Sequence, residues 1–191
     1  MHISKISSIC FFHLRRLRHL RHTVDRDTRQ RLVSALILSR IDYCNVLFAG
    51  LPAVTLAPLR RVMNAAVRFV AGLGPRDHIS NAQRELHWLP IEQCITYKLS
   101  VMMHTVVRGT APGYMSDMVT PVSALDGLAH LRSAALGLYD VPRTRTHMGT
   151  KAFSVAGPTA CNSLPQSIRD VQSAATFKRH LKTYLFDIAY S

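Results

Sequence analysis

Residues 55–73 read TLAPLRRVMNAAVRFVAGL, and their spacing decides the fold. Leu59, Val62, Met63, Ala66, Phe69 and Val70 recur every three or four positions, which lines them along one side of an α-helix. Arg60, Arg61 and Arg68 fall mostly off that stripe. Gly72-Leu73-Gly74-Pro75 then ends the helix, because glycine accepts the left-handed turn of a C-cap and proline cannot continue the ladder.

The same period extends in both directions. Residues 3–22 predict a helix with Ile3, Ile6, Cys10, Leu14, Leu17 and Leu20 on one stripe and Arg15, Arg18 and His22 on another face. After a polar break, Asp25 or Asp27 caps a helix over 28–45, its stripe expected at Leu32, Ala35, Leu36 and Ser39. Gly50-Leu51-Pro52 stops it. Ser80 can cap a short helix over 80–87. Pro90 suits the first turn of a helix over 91–107, with Ile95, Leu99, Met102, Met103 and Val106 buried and Gly109 at its C-cap. A short helical turn is expected within 112–119.

Beyond residue 120 the periodicity fades as Pro, Gly, Ser, Thr and Asp become frequent. Residues 121–145 read as a long exposed connection, disordered in part. Residues 138–141 and 151–155 are expected to pair as a small hairpin across 144–149, ended by Gly157-Pro158. One helical turn is expected over 159–163. Ser173 then caps a last helix to residue 188, with Phe177, Leu181, Leu185 and Ile188 on one face. The expected fold is mainly α. A helical bundle over 1–119, with a basic first helix, precedes a loop-rich segment over 120–191 that holds the hairpin and the final helix.

The balance of charge is strongly basic. The chain has 24 Lys+Arg against 11 Asp+Glu, a formal net charge of +13, which raises the local concentration of polyanions and makes nucleic acid the first partner to consider. The competing reading is a basic surface without a partner. With 48% hydrophobic residues the composition is not that of a disordered chain. Cys10, Cys44, Cys94 and Cys161 stand singly and among apolar neighbours, as buried, reduced thiols of an intracellular protein do; nuclear or cytoplasmic residence is expected. The most apolar run, 32–51, is broken by Arg40 and Asp42, so no membrane partner is expected. The first 22 residues contain no acid. That suits a mitochondrial transit peptide, or a basic helix that begins at an accidental start inside a longer frame.

Short blocks run in order down the chain: Leu38-Ser39-Arg40-Ile41-Asp42-Tyr43-Cys44-Asn45, Arg84-Glu85-Leu86-His87-Trp88-Leu89-Pro90, Ala152-Phe153-Ser154-Val155-Ala156-Gly157-Pro158, Asn162-Ser163-Leu164-Pro165 and Phe177-Lys178-Arg179-His180-Leu181-Lys182. The ordered set resembles the C-terminal region of the reverse transcriptase of LINE-type (non-LTR) retrotransposons, the part beyond the polymerase palm. The resemblance covers residues 3–186. It implies a piece that helps to hold template RNA or target DNA, beside a polymerase domain absent from this chain. In that family the position of Cys161 is commonly tryptophan. If the site is buried, loss of the ring leaves a cavity costing about 3 kcal/mol unless neighbours close on it.

Catalytic chemistry is missing. A polymerase needs two carboxylates to hold two metals, and no Asp-Asp pair exists. Neither a phosphate-cradling Gly-x-x-x-x-Gly-Lys-Ser/Thr nor a Gly-x-Ser-x-Gly elbow occurs. The ten histidines form no His-x-x-x-His pair with a nearby carboxylate, and Arg18 and Arg21 would repel a cation from His19 and His22. Neither enzyme activity, cofactor, metal nor small-molecule substrate is expected.

Binding chemistry is present. Lys5, Arg15, Arg16, Arg18 and Arg21, with His22, place donors along about 25 Å of helix. That length spans several phosphates, and the arginine fork suits them. The expected partner is RNA or DNA, bound without sequence preference. A solvated face packed against a polymerase is the alternative, so a helical protein-interaction module remains a second reading. Arg143, Arg145 and Lys151 form a second basic stretch, with no aromatic residues interleaved for base stacking. Arg179 and Lys182 are a weaker cluster best explained by solvation. Trp88, flanked by Leu86, Leu89 and Pro90, reads as a core anchor rather than a stacking platform.

Overall fold

In chain order the α-helices of the computed structural model are α1 (His2–Arg18), α2 (Arg26–Val33), α3 (Ser39–Asp42), α4 (Ala53–Ala71), α5 (Ser80–Glu85), α6 (Ile91–Val107), α7 (Gly113–Ser116), α8 (Arg132–Ala135), α9 (Phe153–Asn162), α10 (Gln166–Arg169) and α11 (Ala174–Tyr190). The structure describes residues 2–43, 45–125, 127, 132–146 and 148–191. Among them the β-structure amounts to one antiparallel bridge, Pro121 to Tyr139, so the fold is mainly α. Cys44 and part of the expected 121–145 connection lie outside the described residues.

The chain forms two compact units. One comprises Met1–Asn45, Leu51–Cys94 and Ile188–Ser191, the other Val46–Gly50 and Ile95–Asp187. These limits differ from the 119/120 division. Composition registers local character, whereas tertiary packing decides which segments share a core.

In the first unit α4 packs against α1 and α2. All six stripe residues from Leu59 to Val70 are buried, and Leu56 and Val67 widen the stripe. Each such side chain contributes roughly 1.5–3 kcal/mol when fully buried. Gly72 ends α4 at φ +74, and the amides of Gly72 and Leu73 both donate to the Arg68 carbonyl. A side chain at Gly72 would strain that left-handed turn. α1 buries Ile3, Ile6, Ser7, Cys10, Leu14 and Leu17 but ends at Arg18, four residues before the expected limit. Leu20 is therefore exposed, and Arg21 and His22 belong to the turn that follows.

The second helical stretch departs from its expected face. Asp25 caps α2, its carboxylate accepting from the Thr28 amide at 3.1 Å, which holds that carboxyl below its usual pKa. The buried residues are Val33, Ile37 and Ile41, while the expected Ala35 and Ser39 are exposed. The face is set already at Val33, one position past the expected Leu32, and a π turn at Ser34–Leu38 follows between α2 and α3. A four-residue step in an α-helix drifts by about 40°. The wider π turn removes part of that drift, so side chains four apart stay in line.

Trp88 is buried, in keeping with an anchor, and its carbonyl accepts from the Tyr190 hydroxyl at 2.6 Å. The Arg84 guanidinium lies 5.6 Å from the centre of the Tyr190 ring and donates to the Tyr190 carbonyl. Along α11, Phe177, Leu181 and Leu185 are buried, but Ile188 is about half exposed.

In the second unit the expected hairpin does not form. Residues 149–151 make a 3-10 turn and residues 153–162 are α9, with Gly157 and Pro158 inside it. Val155, Ala156, Ala160 and Cys161 repeat at helical spacing, and burying them outweighs the local strand preference. The extended segment around Tyr139 finds other partners. Val122 donates to the Leu138 carbonyl at 2.9 Å and Asp140 to that of Thr120 at 2.8 Å. The Asn162 side chain holds both backbone groups of Tyr139, at 3.0 and 2.7 Å. Met103, Val119 and Cys161 form a buried cluster against which Val106, Tyr139 and Phe153 pack, so large neighbours surround the small Cys161 side chain. Burial pushes the Cys161 thiol up, as befits an unreactive structural cysteine. His104 stacks on Phe177 with ring centres 4.2 Å apart, and its Nε2 lies 2.9 Å from the Val171 carbonyl oxygen.

A Cβ at Gly157 would come within 2.9 Å of both Met103 Sδ and Phe153 Cε2. Gly157→Ala is expected to destabilise the chain by about 1–3 kcal/mol, read from urea midpoints. An unchanged midpoint would contradict this packing. A second expectation concerns Tyr190, whose hydroxyl is pushed up to about 12 by burial, with Cys94 adding and Arg84 opposing. The folded value lies above the unfolded one of ~10, so the stabilisation is whole below pH ~10 and is lost as pH rises toward about 12. The denaturation midpoint should fall across that window. Tyr190→Phe should lack that component, and parallel profiles would refute the assignment.

Candidate functional site

α1 carries its charge at its C-terminal end, where Arg15, Arg16 and Arg18 oppose the negative pole of the helix. Helical geometry sets Lys5 and Arg16 opposite the buried stripe and Arg15 beside them, while Arg18 lies at the edge of that stripe. Lys5, Arg15, Arg16 and Arg18 are all exposed. Arg16 sits 5.7 Å from the centre of the exposed Phe12 ring, which steadies its guanidinium. Among the described residues none of Lys5, Arg15, Arg16, Arg18 and Arg21 forms an ion pair, whereas Arg26 pairs with Glu85 at 3.1 Å and Arg60 with Glu92. The basic row on the helix thus spans about 20 Å from Lys5 to Arg18, shorter than the expected 25 Å.

Arg21 leaves the row. It turns to the end of α4 and donates to the Gly72 carbonyl. Arg29 donates to the neighbouring Phe69 carbonyl at 3.2 Å. Two guanidiniums therefore meet carbonyls that the helix leaves unsatisfied, with the dipole favouring positive charge there.

These placements create a basic concavity of about 490 Å³ between the end of α1 and the end of α4. Arg18, Arg21, His22 and Arg68 supply its polar lining, and Phe69, Leu73 and Pro75 part of its apolar wall. Arg68 donates from Nη2 to the Asp77 carbonyl at 3.3 Å, while its buried Nε meets no acceptor among the described residues. One acid belongs to the rim: the Asp77 carboxylate accepts from the Gly74 amide at 2.6 Å.

The second basic stretch belongs to the other unit. Arg143 and Arg145 are exposed on irregular chain and Lys151 is half-buried in its 3-10 turn. Without the hairpin, Lys151 does not face Arg143 across a paired ladder. Among the described residues no three His, Cys, Asp or Glu side chains gather as a metal site.

Arg68 and Arg29 were not among the candidates read from the sequence. Arg68 stands in the last turn of α4, one helical turn before the Gly72 cap, and that position is visible in the chain. Its meeting with Arg18 and Arg21 joins residues about 50 apart and is not. No described helix is long and apolar enough to cross a membrane. Against known proteins, the chain matches no family model, no curated protein and no solved structure.

Proposed function

We propose that this chain is a non-catalytic piece of a LINE-type reverse transcriptase, from beyond the palm, that binds RNA or DNA without sequence preference. The observation that carries the binding is the row Lys5, Arg15 and Arg16, exposed and free of ion pairs on a helix whose other side is packed. Exposed cations free of ion pairs can neutralise phosphates without first breaking a protein contact, and the counterions condensed on the polyanion are then released with a gain of entropy. Arg18 and Arg21 extend the positive field toward the end of α4, while Arg143, Arg145 and Lys151 add charge in the second unit. Residence inside the cell, in nucleus or cytoplasm, goes with this reading, supported by the buried free thiols of Cys10 and Cys161. The block resemblance supports the origin, and the lack of an Asp-Asp pair supports a role without polymerase chemistry.

Contact with four or five phosphates predicts a slope near −4 for log affinity against log salt on duplex DNA. Replacing Lys5, Arg15 and Arg16 with glutamine should flatten that slope by about 2–3. The measurement is a salt titration of binding to mixed-sequence duplex and RNA by fluorescence anisotropy. Undetectable binding at ~50 mM salt, or a slope unchanged in the triple variant, would overturn the proposal.

A further inference from the structure

We infer that the concavity between the ends of α1 and α4 is a site for a dianionic phosphate monoester: the phosphorylated end of a single strand, or a free nucleotide. Its strand-end form rests on the nucleic-acid reading above; its free-nucleotide form does not. Three observations carry it. The lining brings three guanidiniums and an imidazole to one hollow against one rim carboxylate, that of Asp77. The charge is thus concentrated at a point rather than drawn out along a line. A row of exposed cations matches a backbone of single charges, whereas a converging set matches one group with two charges.

The second observation is Arg68. Its Nε is buried and unpaired among the described residues, although Nη2 is anchored on the Asp77 carbonyl. A buried donor without an acceptor is costly, and a phosphate oxygen placed in the hollow would satisfy it. Arg21 is likewise held in place by the Gly72 carbonyl, which leaves the rest of its fork for a ligand. The anchors fix both side chains before binding, so little rotamer freedom remains to be lost.

The third is shape. About 490 Å³ lies within the range of roughly 300–1,000 Å³ typical of small-molecule sites. A concave hollow receives the end of a strand or a mononucleotide, while a duplex presents a convex rod to it. The apolar wall of Phe69, Leu73 and Pro75 lowers the local dielectric, which strengthens the charge contacts and gives a sugar or base a surface to lie on.

The test uses the full chain and hexathymidylate carrying a 5′-phosphate, a 3′-phosphate or hydroxyls at both ends, with adenosine 5′-monophosphate and pyrophosphate as competitors. A phosphorylated end is expected to tighten binding by about tenfold or more over the hydroxyl strand. Comparing the 5′ and 3′ forms shows which end is taken. Arg68→Gln should bring that ratio close to one. Arg18→Gln should do so too, and because Arg18 is exposed its loss leaves folding intact. Arg61→Gln, exposed on α4 outside the hollow, should preserve the ratio. If no strand binds but pyrophosphate or the nucleotide does, and Arg18→Gln abolishes that binding, the site stands and the nucleic-acid reading falls. If all three strands bind equally and neither small phosphate competes, the site is refuted while general nucleic-acid binding survives.

Discussion

The end of α4 is the constraint on which the first unit depends. A helix whose apolar stripe is buried from Leu56 to Val70 has to stop without burying unsatisfied carbonyls. Gly72 turns the chain, Arg29 meets the Phe69 carbonyl and Arg21 the Gly72 carbonyl. Arg21 comes from the turn after α1 and Arg29 from α2, so the contact that closes α4 also fixes how the chain leaves α1 and enters α2. The positive hollow is a by-product of this solution. Cations are favoured at a helix C-terminus for stability, and here Arg18, Arg21 and Arg68 gather at one such end.

The charge of this protein divides into two physical kinds. Lys5, Arg15 and Arg16 stand in water, where any charge contact is weak and screened by salt. Arg68 and Arg21 are half-buried beside apolar side chains, where contacts are fewer and stronger. The first kind suits a surface that slides over any backbone; the second suits a place that recognises one chemical group. Both lie on the packed core of α1, α2 and α4.

Much of the fold was legible in the chain. The α4 stripe, its glycine stop, a cap at Asp25 or Asp27, and Ile95, Leu99 and Met103 of the α6 face followed from periodicity and capping chemistry alone, because each depends on residues a few positions apart. The misses are of another kind. Residues 138–141 do look like a strand, but the partner they needed was Asn162 and the 120–122 segment rather than 151–155. The face of the second helix was misplaced because its apolar residues Leu32, Val33, Leu36, Ile37, Leu38 and Ile41 offer two stripes, and tertiary packing chose Val33, Ile37 and Ile41, which a π turn without a signature residue keeps in line. At the candidate site, the row on α1 could be read directly. The hollow could not, since Arg68 acquires its meaning only when the chain folds Arg18 and Arg21 back against it.

That π turn has a genetic corollary. It is a helix carrying one residue more than its ladder needs. Removing a single codon within Ser34–Leu38 would therefore leave an unbroken α-helix in which the residues that follow keep nearly their present direction, with Ile41 still toward the core. The same loss inside α4, which carries no spare residue, would swing everything after it by about 100° about the axis. In-frame loss of one amino acid, ordinarily severe within a buried helix, would here be among the milder length changes.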